Sequence, residues 1–295
     1  MEQHTGFNPQ VAIAMRSYND RAVIRGTLEM IQRQGYRNFV LWNFDSSSTD
    51  GTLDIIKEFN EASHIRRNDS AAYNPGTVLN EAVRTVGGEV VVFLNSDATP
   101  EREDWLAQLI APLADPAVGA VYGRQTARPD CRSLFVKDTE RAFGDGLEAA
   151  KWVHFFSMAN CAVRRDVLER FAFETRVQYS EDIEWSYRLR QAGLKIHYVA
   201  AAAATHSHNY TLRQSFKRQF GEGKADAWIF RSGELNTSFI RYCLLPFGME
   251  VVRDLKWAAQ RRSWDALIHT IPLRAVQKWG RWRGQLDGQK AYGTH

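Results

Sequence analysis

Short apolar runs alternate with amphipathic segments through the first hundred residues. Val11-Ala-Ile-Ala-Met15 has no helical spacing and reads as a buried strand. From about Asp20 to Gln34, Val23, Leu28 and Ile31 fall on one helical face, and Gly35 supplies a stop. Phe39 to Phe44 is strand-like, and Thr49-Asp50 offers a cap for a helix to about Asn60. Pro75-Gly76 opens a helix through Val86, Gly87-Gly88 ends it, and Val90 to Leu94 is the most strand-like run of the chain. Strand, helix, strand, helix, strand predicts parallel pairing through right-handed crossovers, an open doubly wound α/β sheet. Further on, the pattern predicts a strand at Val118 to Gly123, a polar loop or lid over Gln125 to Asp145, and an extended stretch at Phe155 to Val163. It then predicts a helix over Glu181 to Gln191, a strand from Lys195 into an alanine run, and a helix over Thr211 to Trp228. No repeat or Gly/Ser linker divides residues 1–235, which read as one domain, followed by a helical extension over residues 236–295.

Length and composition narrow the function classes. The 295 residues can bury a large core, and 24% charged with 12% aromatic residues excludes a disordered or low-complexity chain. No apolar run reaches the roughly 18 residues of a membrane-spanning helix. Met1 to Gln10 lacks the apolar core of a secretory signal, and Cys131, Cys161 and Cys243 are sparse and unpaired in sequence. Reduced thiols in a cytoplasmic location are the expectation. The net charge of +4 is uneven: from Arg241 onward there are ten Lys/Arg against four Asp/Glu, so the rest is slightly acidic. A basic tail predicts an anionic neighbour, a membrane surface or nucleic acid.

In open α/β sheets, ligands sit outside the carboxyl ends of the strands, which nominates Arg16 to Asn19, Asp45 to Asp50 and Asn95 to Asp97. No GxGxxG follows the first strand and no GxxxxGK[ST] occurs, so a nicotinamide dehydrogenase or P-loop NTPase is not expected. Asn95-Ser96-Asp97 could hold a divalent cation on a carboxylate, although the same residues are ordinary turn formers. Asp45 stands directly after a strand with no need to be a helix cap, and could meet a base or a ribose. Glu181 and Asp182 start a helix, where acids suit the macrodipole or could serve as a general base. His206 and His208 are alternate residues after a strand and could face one site, or be merely solvated.

Taken in order, the runs Val11 to Asn19, Asn43 to Thr52, Gly76 to Asn80, Phe93 to Asp97 and Ser180 to Trp185 resemble the family 2 glycosyltransferases of the Rossmann-like GT-A fold, over roughly residues 8–235. The resemblance implies metal-dependent, inverting transfer of a sugar from a nucleoside diphosphate to a hydroxyl, with Mg²⁺ or Mn²⁺ as cofactor. By that match, Asp182 is the catalytic base, with Glu181 and Trp185 beside it toward the acceptor. Arg16, Ser17, Tyr18, Asn19, Asp45 and Ser96 face the nucleotide, and Asp97, His206 and His208 hold the metal. Two positions depart from the family pattern: Asn95 replaces the first acid of the DxD motif, and Arg16 replaces a common proline and could meet phosphate. Tyr122 to Asp130, Phe93 to Pro100 and His206 to Gln214 are similar to the bacterial rhamnosyltransferase branch, which implies a dTDP-L-rhamnose donor and a glycan or lipid-linked acceptor in O-antigen or other surface polysaccharide synthesis. UDP- or GDP-hexose transfer, a nucleotidyltransferase and an inactive scaffold of the same fold are the alternatives.

In the tail, Trp264, Leu267, Ile268, Ile271, Val276, Trp279, Trp282 and Leu286 repeat every three or four residues, with Arg261, Arg262, Arg274, Lys278, Arg281 and Arg283 between them. Pro272 is expected to break this pattern into two helices or to start the second. Such a stripe suits either a helix lying on the cytoplasmic face of an anionic membrane or packing on the body of the protein. A nucleic-acid partner is not expected, since no helix-turn-helix, zinc-finger or RNP-like signature is present.

Overall fold

The computed structural model describes residues 6–69, 73–147, 152, 154–230 and 238–292. The chain divides into two compact units: Met1–Thr126, Arg141–Thr175 and Asp182–His206 form the first, and Ala127–Glu140, Arg176–Glu181 and Ser207–His295 form the second.

The first unit is built on eight strands: β1 (Val11–Ser17), β2 (Phe39–Asp45), β3 (Ile65–Arg67), β4 (Val90–Asn95), β5 (Thr99–Pro100), β6 (Val118–Thr126), β7 (Asn160–Arg164) and β8 (Lys195–Thr205). They form one mixed sheet in the order β3-β2-β1-β4-β7-β6-β8-β5. The β3-β2-β1-β4 half is parallel, as the alternating pattern predicts, and β7 then enters antiparallel between β4 and β6. Alternate residues of β1 and β4 feed two different cores, because successive side chains point to opposite faces. Val11, Ile13, Met15, Val90, Val92 and Leu94 pack against α1 (Ile24–Gln32), α2 (Thr52–Phe59) and α4 (Trp105–Ile110). Ala12, Ala14, Val91 and Phe93 face α3 (Pro75–Thr85), α6 (Arg165–Arg170) and α7 (Glu181–Gln191). This is the doubly wound layering that brings the β1, β2 and β4 carboxyl ends to one edge.

The expected loop over Gln125 to Asp145 is corrected: β6 runs to Thr126, and α5 (Ser133–Phe143) is a helix. It reads as polar because Lys137 and Asp138 are charged, yet Lys137 is buried and both residues pair with groups more than a hundred positions away in sequence.

The second unit contains residues 133–140 of α5, α8 (Leu212–Ile229), a π-helical turn at Ile240–Leu244, α9 (Leu245–Arg261) and α10 (Trp264–Tyr292). Its apolar centre is small: Leu134, Ala258, Ala266 and Leu273. Close backbone packing supplies the rest. Gly280, Gly284 and Gly288 line one side of α10, and a Cβ at Gly284 would lie 2.0 Å from the Phe220 carbonyl oxygen of α8. Pro272 does not break the tail; α10 continues through it. The helical donor that proline removes would have served the carbonyl of Ile268, on the exposed side of the helix where water reaches.

Candidate active site

Three loops meet at the carboxyl edge of β2, β1 and β4. Ser17 ends β1 in register with Asp45 at the end of β2, and Arg16 pairs with Asn95 at the end of β4. The fully buried Asp45 carboxylate accepts from the Ser17 hydroxyl at 2.9 Å, from the Ser48 amide at 2.9 Å and from the Ser48 hydroxyl at 2.6 Å. Ser48 Oγ in turn accepts the Asn19 N–H, and Asn19 Oδ1 accepts the Thr49 N–H, each at 2.9 Å. Asn19 and Ser47 are both in the left-handed region, φ 56° and 60°, as is Ser180 beside Glu181. Such conformations cost energy in non-glycine residues and persist where the surroundings over-determine them. Asp45, expected to face the nucleotide, is thus the internal clamp of these loops, whereas the Tyr18 ring is 55% exposed.

Asp97 and His206 are brought together by the short antiparallel pair β5–β8. Thr99 pairs with Thr205, so the residue two before one strand meets the residue just after the other. His206 Nε2 lies 3.5 Å from Asp97 Oδ1. His206 Nδ1 is 2.8 Å from the Gln125 amide oxygen, whose amide nitrogen donates to Ser157 Oγ at 2.8 Å. With the amide oxygen facing the ring, Nδ1 donates to Gln125 and Nε2 is left facing Asp97. An oxygen donor and an imidazole nitrogen this close can share one cation, whose donor distances are about 2.0–2.6 Å. The residues present therefore fit a divalent ion. His208 lies two residues past His206, in the second unit, with its ring tilted on Tyr210.

Asp20 was not among the expected site residues. Its carboxylate accepts from the Ser96 hydroxyl at 2.5 Å and from the Tyr18 N–H at 3.1 Å. Burial pushes this carboxyl above its ordinary value, and the charges of Asp97 and Asp50 push the same way against those two bonds. The sequence signal was only its place one residue past Asn19. Ser96 itself is fully buried and turned toward Asp20.

Arg16 donates to Asn95 Oδ1 at 2.9 Å. The two departures from the family pattern are therefore neighbours, and the neutral amide holds the guanidinium without cancelling its charge. Asp182 is half-buried in the first turn of α7, where its Oδ1 accepts the Ile183 N–H at 2.8 Å. Arg16 and Asp182 both lie within electrostatic reach of the Cys161 thiol of β7, which burial pushes far up and out of thiolate chemistry. The neighbouring acid Glu184 is paired with Arg188 at 2.8 Å. Trp185, expected beside the acceptor, is instead fully buried: its indole donates to the Phe171 carbonyl at 2.7 Å and stacks on Phe173. Glu181 is half-buried at the start of the same helix.

Comparison with known proteins bears on the family and the fold. Residues 12–171 match the family described as Glycosyl transferase family 2. The O-antigen chain rhamnosyltransferase RfbN of Salmonella typhimurium is 30% identical over 236 residues, 75% of each chain. The O-antigen chain rhamnosyltransferase WbaN of Salmonella anatum is 34% identical over 217 residues, 68% of this chain and 67% of its own. Among solved structures, the mannosyltransferase PcManGT of Pyrobaculum calidifontis, in complex with GDP-Man and Mn²⁺, superposes with a TM-score of 0.67 at 19% identity, covering 98% of this chain and 89% of its own. Glucosyl-3-phosphoglycerate synthase of Mycobacterium tuberculosis, with Mn²⁺, UDP-glucose and phosphoglyceric acid, superposes at 0.56 with 18% identity, over 77% and 81%. The mixed sheet flanked by helices is the GT-A fold.

Proposed function

The chain belongs to glycosyl transferase family 2, and on that premise we propose that it transfers L-rhamnose from dTDP-L-rhamnose, with a divalent cation, to a hydroxyl of a glycan or lipid-linked acceptor. The observation that carries the metal-dependent reading is the Asp97–His206 pair, with Gln125 fixing the imidazole so that Nε2 is the donor. Asp97 and His206 would hold the ion. When bound, the ion neutralises charge on the departing diphosphate. Arg16 adds a permanent positive charge at the same edge, directed by Asn95. Ser17 and Asn19 present the nucleotide subsite that Asp45 braces, and the exposed Tyr18 ring offers a face to the base. Asp182 accepts the proton of the attacking hydroxyl, and Glu181 borders the acceptor. The transition state develops positive charge on the sugar and negative charge on the diphosphate, so cationic groups belong on the leaving side and one carboxylate on the attacking side.

The rhamnosyl donor rests on the relatives RfbN and WbaN, both O-antigen chain rhamnosyltransferases. The test is thermal melting of the wild type and of Asp182→Asn with dTDP, UDP or GDP, each with and without Mn²⁺, beside a transfer assay. Ligand at about 100 times its Kd adds about 2.7 kcal/mol to stability. Both proteins should be stabilised most by dTDP with Mn²⁺, and only the wild type should transfer. A preference for UDP or GDP discards the rhamnosyl donor, and full transfer by Asp182→Asn removes that residue from the mechanism.

A further inference from the structure

We infer that the helices after residue 238 present a face that docks on an anionic lipid bilayer. α9 is built inside out. It buries Glu250, Asp254 and Ala258, while Leu245, Met249, Val252 and Leu255 are exposed on the opposite side. The buried acids are ion-paired within the same unit: Asp254 accepts from Lys137 at 2.5 Å and from Arg274 at 2.7 Å, and Glu250 lies 2.9 Å from Arg253 and 3.8 Å from Lys137. α10 repeats the inversion. It buries Ala266, Thr270, Leu273 and its glycines, and leaves Trp264 77%, Ile268 71%, Ile271 59% and Trp279 57% exposed at spacings of three, four and eight residues. Phe239, itself exposed, packs edge-on against Trp282 at 5.0 Å and joins the segment ahead of α9 to the α10 stripe. Scattered exposed apolar residues are normal, but two helices that both turn their polar or small residues inward and their large apolar ones outward face something other than water.

Charge selects the occupant. Between Phe239 and Ser263 both acids are buried, and every exposed charge is basic: Arg241, Arg253, Lys256, Arg261 and Arg262. Lys256 follows Val252 by one turn on the apolar face itself. Tryptophan and long aliphatic side chains rimmed by Lys and Arg match the headgroup boundary of an anionic leaflet. A second copy of this chain would instead set the same basic groups against their own images. The face lies wholly in the second unit and does not depend on which donor the first unit uses.

The test is flotation of the full chain with vesicles of phosphatidylcholine alone, or with about one third phosphatidylglycerol, at low and high salt. The wild type should float with the anionic vesicles about tenfold more than with the neutral ones, less so at high salt. The triple variant Leu245→Gln/Met249→Gln/Val252→Gln should lose most of that binding with its melting temperature unchanged, since all three side chains are exposed. Arg241→Gln/Lys256→Gln, both exposed, should lose the salt-dependent part. Failure of the wild type to float, or flotation that the triple variant retains, overturns the proposal. So does a wild-type dimer in sedimentation velocity that the triple variant dissociates without any vesicle binding.

Discussion

The Gln125 amide fixes which nitrogen His206 presents. Its oxygen accepts from Nδ1 at 2.8 Å while its nitrogen bonds Ser157 at 2.8 Å, so a flip of the imidazole would break the first bond and lose a braced acceptor. Partners of this kind orient a metal-ligating histidine and raise its basicity, and removing one typically lowers metal affinity about 10–100-fold. Gln125→Leu should therefore weaken Mn²⁺ binding, measured by calorimetry, within that range, and Gln125→Glu should restore it. Unchanged Mn²⁺ affinity in Gln125→Leu would mean that His206 is not a ligand. The residues that face this edge were readable from strand ends: Asp97 and His206 each follow a strand. Gln125 and Asp20 were not, because a buried glutamine within a strand and a carboxylate in a turn look alike with or without a ligand.

At the scale of elements, one class of residue decides how the tail helices pack. Alanine is the better helix former by about 0.8–1.0 kcal/mol, so Gly→Ala within a helix ordinarily stabilises. Gly26 in α1 has no atom within 4 Å of its would-be Cβ and should follow that rule. Gly284 should reverse it, because its Cβ would meet the Phe220 carbonyl oxygen at 2.0 Å, and a backbone atom in a packed helix yields little. Overpacking costs about 1–3 kcal/mol, occasionally more. Denaturant unfolding should show Gly26→Ala gaining stability and Gly284→Ala losing about 2 kcal/mol net. Equal effects of one sign would refute this account of the α8–α10 contact. The contact was hidden in the sequence for the same reason. A hydrophobic pattern points to Trp264, Ile268 and Trp279 as the buried side, whereas this helix buries the glycine side, and close backbone approach has no hydrophobic signature. Strands β1, β2 and β4 were legible because parallel central strands are apolar on both faces. α5 was not, because the charges that satisfy it are distant in sequence.

At the scale of the whole molecule, a boundary at residue 235 follows the resemblance, but ion pairs bind residues before it to residues after it. Arg274 of α10 holds both Asp138 oxygens at 2.7 Å and Asp254 at 2.7 Å, and Lys137 reaches Asp254 at 2.5 Å; Lys137, Asp254 and Arg274 are buried, and Asp138 is partly exposed. Burial by itself pulls the Arg274 guanidinium down, but its bonds to Asp138 and Asp254 and their charges outweigh that and push it up, so it stays charged at any pH the fold survives. Arg281 does the same for the buried Asp226 of α8, with two bonds of 2.9 Å. Removing one partner of a buried pair leaves an uncompensated charge, which costs about 3–5 kcal/mol. A chain ending at residue 235 would strip Lys137, Asp138 and Asp226 of these partners together and open the glycine-packed side of α8. Such a chain should aggregate or melt far below the full protein. Recovery of a soluble chain of residues 1–235 whose Tm lies within about 4 °C of the full protein, the shift expected from roughly 1 kcal/mol, would show that the ion cluster is dispensable. A double variant, Asp138→Asn/Arg274→Gln, separates the two causes: it keeps the helices and removes only charge. If charge burial dominates, the double variant should fall well short of the loss seen with Arg274→Gln alone, because it no longer leaves Asp138 unpaired.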